Sequence, residues 1–234
     1  METTENTLVS HLEALRKTLL RCIAVTAALY PAGYLASARV IRALTEWCFP
    51  SGMDLHYFAP MEVFWVRLKL ALVLSLAAAY PWNVWQLWSF VLPALYPGER
   101  RAFGRWIVFS SLLFFAGGAF CVGVIMPLLM EFSAGFAAPG LTPLIGLRQF
   151  LDLAGWLTLA FGVMFQSPIA VLLAVRFGVT SADALAKKRP YAVTAILVLA
   201  AVLTPPDVLS QLLLALPTWL LFELGVLLAR RYGK

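Results

Sequence analysis

Charge is scarce in this chain. Asp, Glu, Lys and Arg make up 13% of its 234 residues, where soluble proteins carry about 25%. A soluble globule of this length could not cover its surface with so few charges. Disorder needs low hydrophobicity and high charge, and 62% of these residues are hydrophobic. The three cysteines, Cys22, Cys48 and Cys121, are too few and too scattered for a disulfide framework or a CxxC metal site. Two histidines, His11 and His56, fall on opposite membrane sides in the topology below and cannot share a metal. HExxH, GxSxG and P-loop patterns and spaced carboxylate clusters are all missing. Neither enzymatic chemistry nor a cofactor is expected. What remains is a polytopic membrane protein, whose net charge of +6 reads as a bias toward lipid rather than nucleic acid.

Uncharged runs mark the spans: 22–38, 70–98, 106–130, 153–175, 190–206 and 208–229, the last interrupted by Glu223. A spanning helix needs about 20 apolar residues. If Pro205-Pro206-Asp207 forms the turn, the fifth helix has about 14 residues, or roughly 21 Å, against a core of about 30 Å. The expected fold is all-α, one membrane domain over 1–234 with six transmembrane helices, the last two short. A cytoplasmic helix start is expected at about 10–20, an outer loop at about 39–66, and cytoplasmic loops at about 96–105 and 176–190. Pro31, Pro81, Pro93, Pro127, Pro168 and Pro217 lie in or beside spans and predict kinks. Thirteen of the 18 Lys and Arg residues fall at the two termini and in the loops around Arg100 and Lys187. Arg39, Arg42, Arg67, Lys69 and Arg148 fall on the other side. The positive-inside rule therefore places both termini in the cytoplasm. Ala36-Ser37-Ala38 imitates a signal-peptide cleavage site. Glu2, Glu5 and Glu13 ahead of the run argue for a retained first span instead.

Isolated polar groups in or near the spans each need a reason. Ser10-His11-Leu12-Glu13 has capping-box spacing, with Ser10 as N-cap and Glu13 completing the box. Arg16 and Lys17 anchor the first span at the headgroups. Gln166 has two readings: its amide satisfies a carbonyl freed by Pro168, or it bonds a partner helix. Glu99 opens the second cytoplasmic loop, either as a solvated partner of Arg100, Arg101 or Arg105, or as an anion awaiting a basic peptide. Glu62 and Asp207 are placed to cap the second and sixth helices. Glu223, inside Arg230, is placed to snorkel or to pair with it. Trp47, Phe49, Tyr57, Phe58 and Trp65 suit an interfacial cap on the outer side.

Several blocks together resemble TatC, the multispanning core subunit of the twin-arginine protein translocase. Ser10-His11-Leu12-Glu13-Ala14-Leu15-Arg16-Lys17 resembles its N-terminal signature. Gln86-Leu87-Trp88-Ser89-Phe90-Val91-Leu92-Pro93-Ala94-Leu95-Tyr96, followed by Glu99-Arg100, resembles its second span and first cytoplasmic loop. Phe161-Gly162 to Phe165-Gln166-Ser167-Pro168 is similar to its fourth span, and Lys187-Lys188-Arg189-Pro190-Tyr191 to the start of its fifth. Leu203-Thr204-Pro205-Pro206-Asp207-Val208-Leu209-Ser210-Gln211 is similar to its last outer turn, and Phe222-Glu223 to its sixth span. The resemblance implies an oligomeric subunit of the bacterial cytoplasmic (inner) membrane. Its partners would be single-span TatA-type and TatB-type subunits, membrane lipid and the twin-arginine signal peptides of folded cargo, with export driven by the proton-motive force. It implies that Glu99, Glu13, Arg16 and Phe90 meet the signal peptide, and that Gln166, Asp207 and Gln211 meet partner subunits. The family's N-terminal glutamate directly precedes its Leu-Arg pair. This chain has Ala14 there and carries the acid at Glu13. A small transporter or channel is the alternative; it predicts charged residues along a pathway or an internal repeat, and the sequence offers neither.

Overall fold

The computed structural model describes residues 2–49, 55–91, 100–135, 144–204 and 207–232. Helices dominate: α1 Glu2–Cys48, α2 Glu62–Val91, α3 Arg100–Phe120, α4 Met126–Ala134, α5 Leu147–Met164, α6 Ser167–Arg176, α7 Ala182–Lys187, α8 Arg189–Leu203 and α9 Val208–Tyr232. Strands β1, Leu55–His56, and β2, Ile145–Gly146, pair in parallel. Among the described residues, five helical stretches are long and apolar enough to cross a membrane. They are His11–Cys48, Glu62–Phe90, Gly104–Ser133, Leu147–Arg176 and Val208–Arg231. The sixth apolar helix, α8, has 15 residues and so spans about 22 Å, close to the length expected from the sequence.

Three boundaries differ from the sequence reading. Helix α1 begins at Glu2, so Ser10 lies inside a helix and not at its N-terminus. No Pro or Gly precedes Ser10, and a cap preference of about 1 kcal/mol does not stop a helix that can continue. At its other end α1 passes Arg39 and Arg42, both exposed, and runs on to Cys48. Charge ended the apolar run there, not the helix. The outer connection is correspondingly shorter than 39–66. Finally, α9 has 25 residues and is not short. Glu223 breaks the uncharged run but not the helix, since Glu is a good helix former.

Contacts divide the chain into two compact units, Met1–Arg42 with Pro60–Leu112, and Ala43–Ala59 with Leu113–Lys234. In the first, α1 and α2 approach so closely that a Cβ on Gly33 would lie 2.6 Å from the Ala71 carbonyl oxygen. The Tyr30 hydroxyl donates to the Leu68 carbonyl at 3.1 Å, and Tyr80 and Ser110 hydroxyls meet at 3.1 Å.

In the second unit, Phe150, Phe161, Met126 and Leu157 form a fully buried core. Phe49 packs on Phe150 with ring centroids 5.0 Å apart. Between α3 and α4 the segment Cys121–Ile125 is π-helical, and the Met126 N–H reaches back five residues to the Cys121 carbonyl. Pro127 follows directly; a proline ring clashes with the carbonyl four residues earlier, and widening one turn relieves that clash. Pro168 has a different effect, with a helix break at Phe165–Gln166 just before it. Pro31, Pro81 and Pro217 lie within continuous helices, and Pro93 lies outside the described residues.

Candidate functional site

The residues expected to meet a signal peptide belong to the first unit. His11 on α1 stacks on Phe90 near the end of α2, with ring centroids 4.5 Å apart and planes at 36°. Two motifs distant in sequence thus meet side by side. At 100° per residue, Leu15 and Thr18 fall within about 40° of His11 around α1, and Thr18 is buried. Arg16 falls about 140° round and Glu13 about 200°; both are exposed. Glu13 therefore points away from the face that meets Phe90, and Ala14, about 60° from His11, occupies the nearer position. Glu99 lies outside the described residues, immediately before Arg100, where α3 begins.

From the level of Cys22, α1 and α2 line a groove of about 510 Å³. Its walls include Ile23, Thr26, Tyr30, Leu76 and Asn83. Asn83 Nδ2 donates to Thr26 Oγ1 at 3.4 Å, and that hydroxyl donates to the Cys22 carbonyl at 2.9 Å. Asn83 Oδ1 is buried without a hydrogen-bond partner. The sequence reading passed over this amide, although it is a lone Asn in an apolar run.

The three residues expected at partner contacts belong to the second unit, and each has a partner within the chain. Gln166 Nε2 donates to the Gly162 carbonyl at 3.3 Å. The carbonyl it serves is not the one freed by Pro168, which is that of Met164, two residues on. The Gln166 backbone N–H has turned to Val163, which leaves Gly162 in need of a donor. Asp207 accepts from the Ser210 N–H at 2.6 Å, an N-cap of α9 as expected. Gln211 Nε2 donates to the Leu197 carbonyl at 3.1 Å, tying α9 to α8. Trp156 donates its indole N–H to the Leu203 carbonyl, so α5 and α9 both satisfy carbonyls of the short helix. Gln166→Leu removes one such bond. The expected result is a stability loss of about 1 kcal/mol by thermal melting in detergent, with assembly retained. Loss of co-purifying single-span subunits at unchanged stability would instead make Gln166 a partner contact.

Glu223 pairs with Arg189, not Arg230. Arg189 Nε and Nη2 donate to its two oxygens at 2.7 and 2.9 Å. Arg230 lies two turns along the same helix, beyond reach, and pairs with Asp183 at 3.1 Å. Arg189→Leu is expected to lower the melting temperature in detergent and Arg189→Lys to lower it less, since Lys keeps the charge without the planar fork. Equal melting of all three would mean that the pair adds nothing.

Known proteins share this architecture. A family profile described as Sec-independent protein translocase protein (TatC) matches residues 10–217. The Sec-independent protein translocase protein TatC of Haemophilus influenzae is 37% identical over 96% of this chain and 89% of its own length. TatC of Escherichia coli K12 is 38% identical over 97% of this chain and 90% of its own length. A crystal structure of the twin arginine translocase receptor TatC superimposes with a TM-score of 0.84 at 29% identity, over 96% of this chain and 100% of that one.

Proposed function

The chain belongs to the TatC family of Sec-independent protein translocases, and on that premise we propose that it receives twin-arginine signal peptides at the cytoplasmic face of the bacterial inner membrane. The contact between His11 and Phe90 supports this reading most, because it joins the two motifs that the resemblance ties to the peptide. The peptide's guanidinium groups meet the Glu99 carboxylate, which accepts two parallel charge-assisted bonds from an Arg fork. Its apolar segment follows the groove between α1 and α2. The single-span TatA-type and TatB-type subunits join an oligomeric complex around the helices that carry Gln166, Asp207 and Gln211, whose own side chains bond within the chain. The proton-motive force, rather than chemistry within this subunit, drives export.

Six spans with both termini cytoplasmic suit the basic residues best, with α8 as the short fifth span. A helix of about 22 Å thins the bilayer around it, at fractions of a kcal/mol per Å of mismatch. Cysteine labelling of intact cells tests the topology. Cys48 is buried and is a poor reporter, so the probes are Tyr57→Cys and Val179→Cys, at positions 64% and 79% exposed. In a background without the native cysteines, an impermeant maleimide reaches Tyr57→Cys and misses Val179→Cys. Labelling of Val179→Cys would overturn the topology. The recognition step is tested by titrating the purified protein with a fluorescent twin-arginine peptide and its twin-lysine counterpart. The twin-arginine peptide binds at least tenfold more tightly, and equal binding contradicts the reading.

A further inference from the structure

Arg67 is held unlike an ordinary interfacial arginine. Its Nε donates to Ser37 Oγ at 3.1 Å, and that hydroxyl in turn donates to the Tyr34 carbonyl at 2.6 Å. Ser37 is fully buried. The guanidinium lies over the Tyr34 ring, 4.6 Å from its centroid. One donor and one face of the cation are thus fixed by α1. Among the described residues no carboxylate pairs with Arg67, and its Nη groups make no hydrogen bond to the protein. The side chain is partly exposed, so those donors remain open to a ligand.

Depth indicates what reaches them. Helix α2 has 30 residues, about 45 Å, which matches a bilayer with its headgroups. Arg67 lies nine to ten residues from the middle of that helix, about 14 Å. Half the hydrocarbon core is about 15 Å, so the Arg67 backbone lies at the edge of the core and its long side chain is within reach of lipid phosphates. A long arginine normally snorkels there and loses rotamer freedom when it binds. Arg67 has lost that freedom already, and its Nη edge fits two oxygens of one phosphate.

We propose that Arg67, fixed by Ser37 and Tyr34, is a specific binding site for the phosphodiester of a membrane phospholipid. In the topology above this is an outer-leaflet lipid, and it anchors the α1–α2 pair at that boundary. The site is independent of the peptide-binding face.

Native mass spectrometry of the detergent-purified protein with added phosphatidylglycerol tests the site. Wild type retains one lipid that Arg67→Gln loses, with apparent affinity falling 10- to 100-fold. Arg67→Lys falls between them, because a lysine cannot bond Ser37 and present a fork together. Tyr34→Phe keeps the lipid, since only the ring and backbone are used, while Tyr34→Leu weakens it with Arg67 intact. Diacylglycerol with the same chains does not bind at this site. Inorganic phosphate at millimolar concentration does not displace the lipid. Wild-type retention by both Arg67→Gln and Tyr34→Leu would overturn the proposal. So would equal binding of diacylglycerol, which would mark a chain-binding groove, or displacement by phosphate, which would mark a free-anion site.

Discussion

Glu99→Gln weakens binding of a twin-arginine peptide about 10- to 150-fold. The substitution keeps the size and the hydrogen-bonding atoms of the side chain and removes its charge. A charge-assisted bond is roughly twice as strong as a neutral one, and losing that contribution costs about 1.5–3 kcal/mol, which converts to that range of affinity. Glu13→Gln changes binding little, because Glu13 faces away from the side of α1 that meets Phe90. The measurement is a peptide titration of each purified variant, with the twin-lysine peptide as control. If Glu13→Gln loses binding and Glu99→Gln does not, the two carboxylates have the opposite roles. If neither variant matters, the arginine site lies elsewhere.

The second large effect is on folding. A Cβ added at Gly117 would lie 2.6 Å from the Phe161 carbonyl oxygen and 2.8 Å from the Phe165 ring. The first neighbour is backbone, which cannot rotate away, so α3 and α5 must separate. Overpacking of this kind costs about 1–3 kcal/mol. Without a hydrophobic force between helices in lipid, close packing carries much of their association. Gly117→Ala is therefore expected to lower the melting temperature and the yield of folded protein. Gly118→Ala is the matched control. Its Cβ would meet only the Thr158 methyl, at 3.3 Å, and a side chain can yield by a few tenths of an ångström. Equal melting of the two variants would show that the α3–α5 approach is not tight at Gly117.

Much of the helical layout is readable from the sequence because lipid imposes a simple rule: an apolar run must satisfy its backbone internally. The end of α8 at Leu203 is readable for another reason: Pro205 disfavours helical backbone at Thr204, which is extended. The failures have separate causes. Hydropathy marks where lipid is, not where a helix ends, so Arg39 and Arg42 closed an apolar run while α1 continued to Cys48. Ser10 has the right spacing for a cap, yet spacing does not reveal whether an upstream stretch is helical. Side-chain partners were readable when local, as for Asp207 capping α9. They were hidden when they crossed between helices, as for Glu223 with Arg189 and Arg67 with Tyr34. At the candidate site, the motifs holding His11 and Phe90 stand out in the sequence. Their contact does not, because it depends on how α1 packs along α2.

The central claim is that the face bearing Phe90 receives the arginine pair of a signal peptide. A photoreactive amino acid in place of Phe90, followed by crosslinking to a labelled twin-arginine peptide in membrane vesicles, tests it most directly. The prediction is a crosslink that excess unlabelled twin-arginine peptide suppresses and excess twin-lysine peptide does not. No crosslink from position 90, or one that both peptides suppress equally, would contradict it.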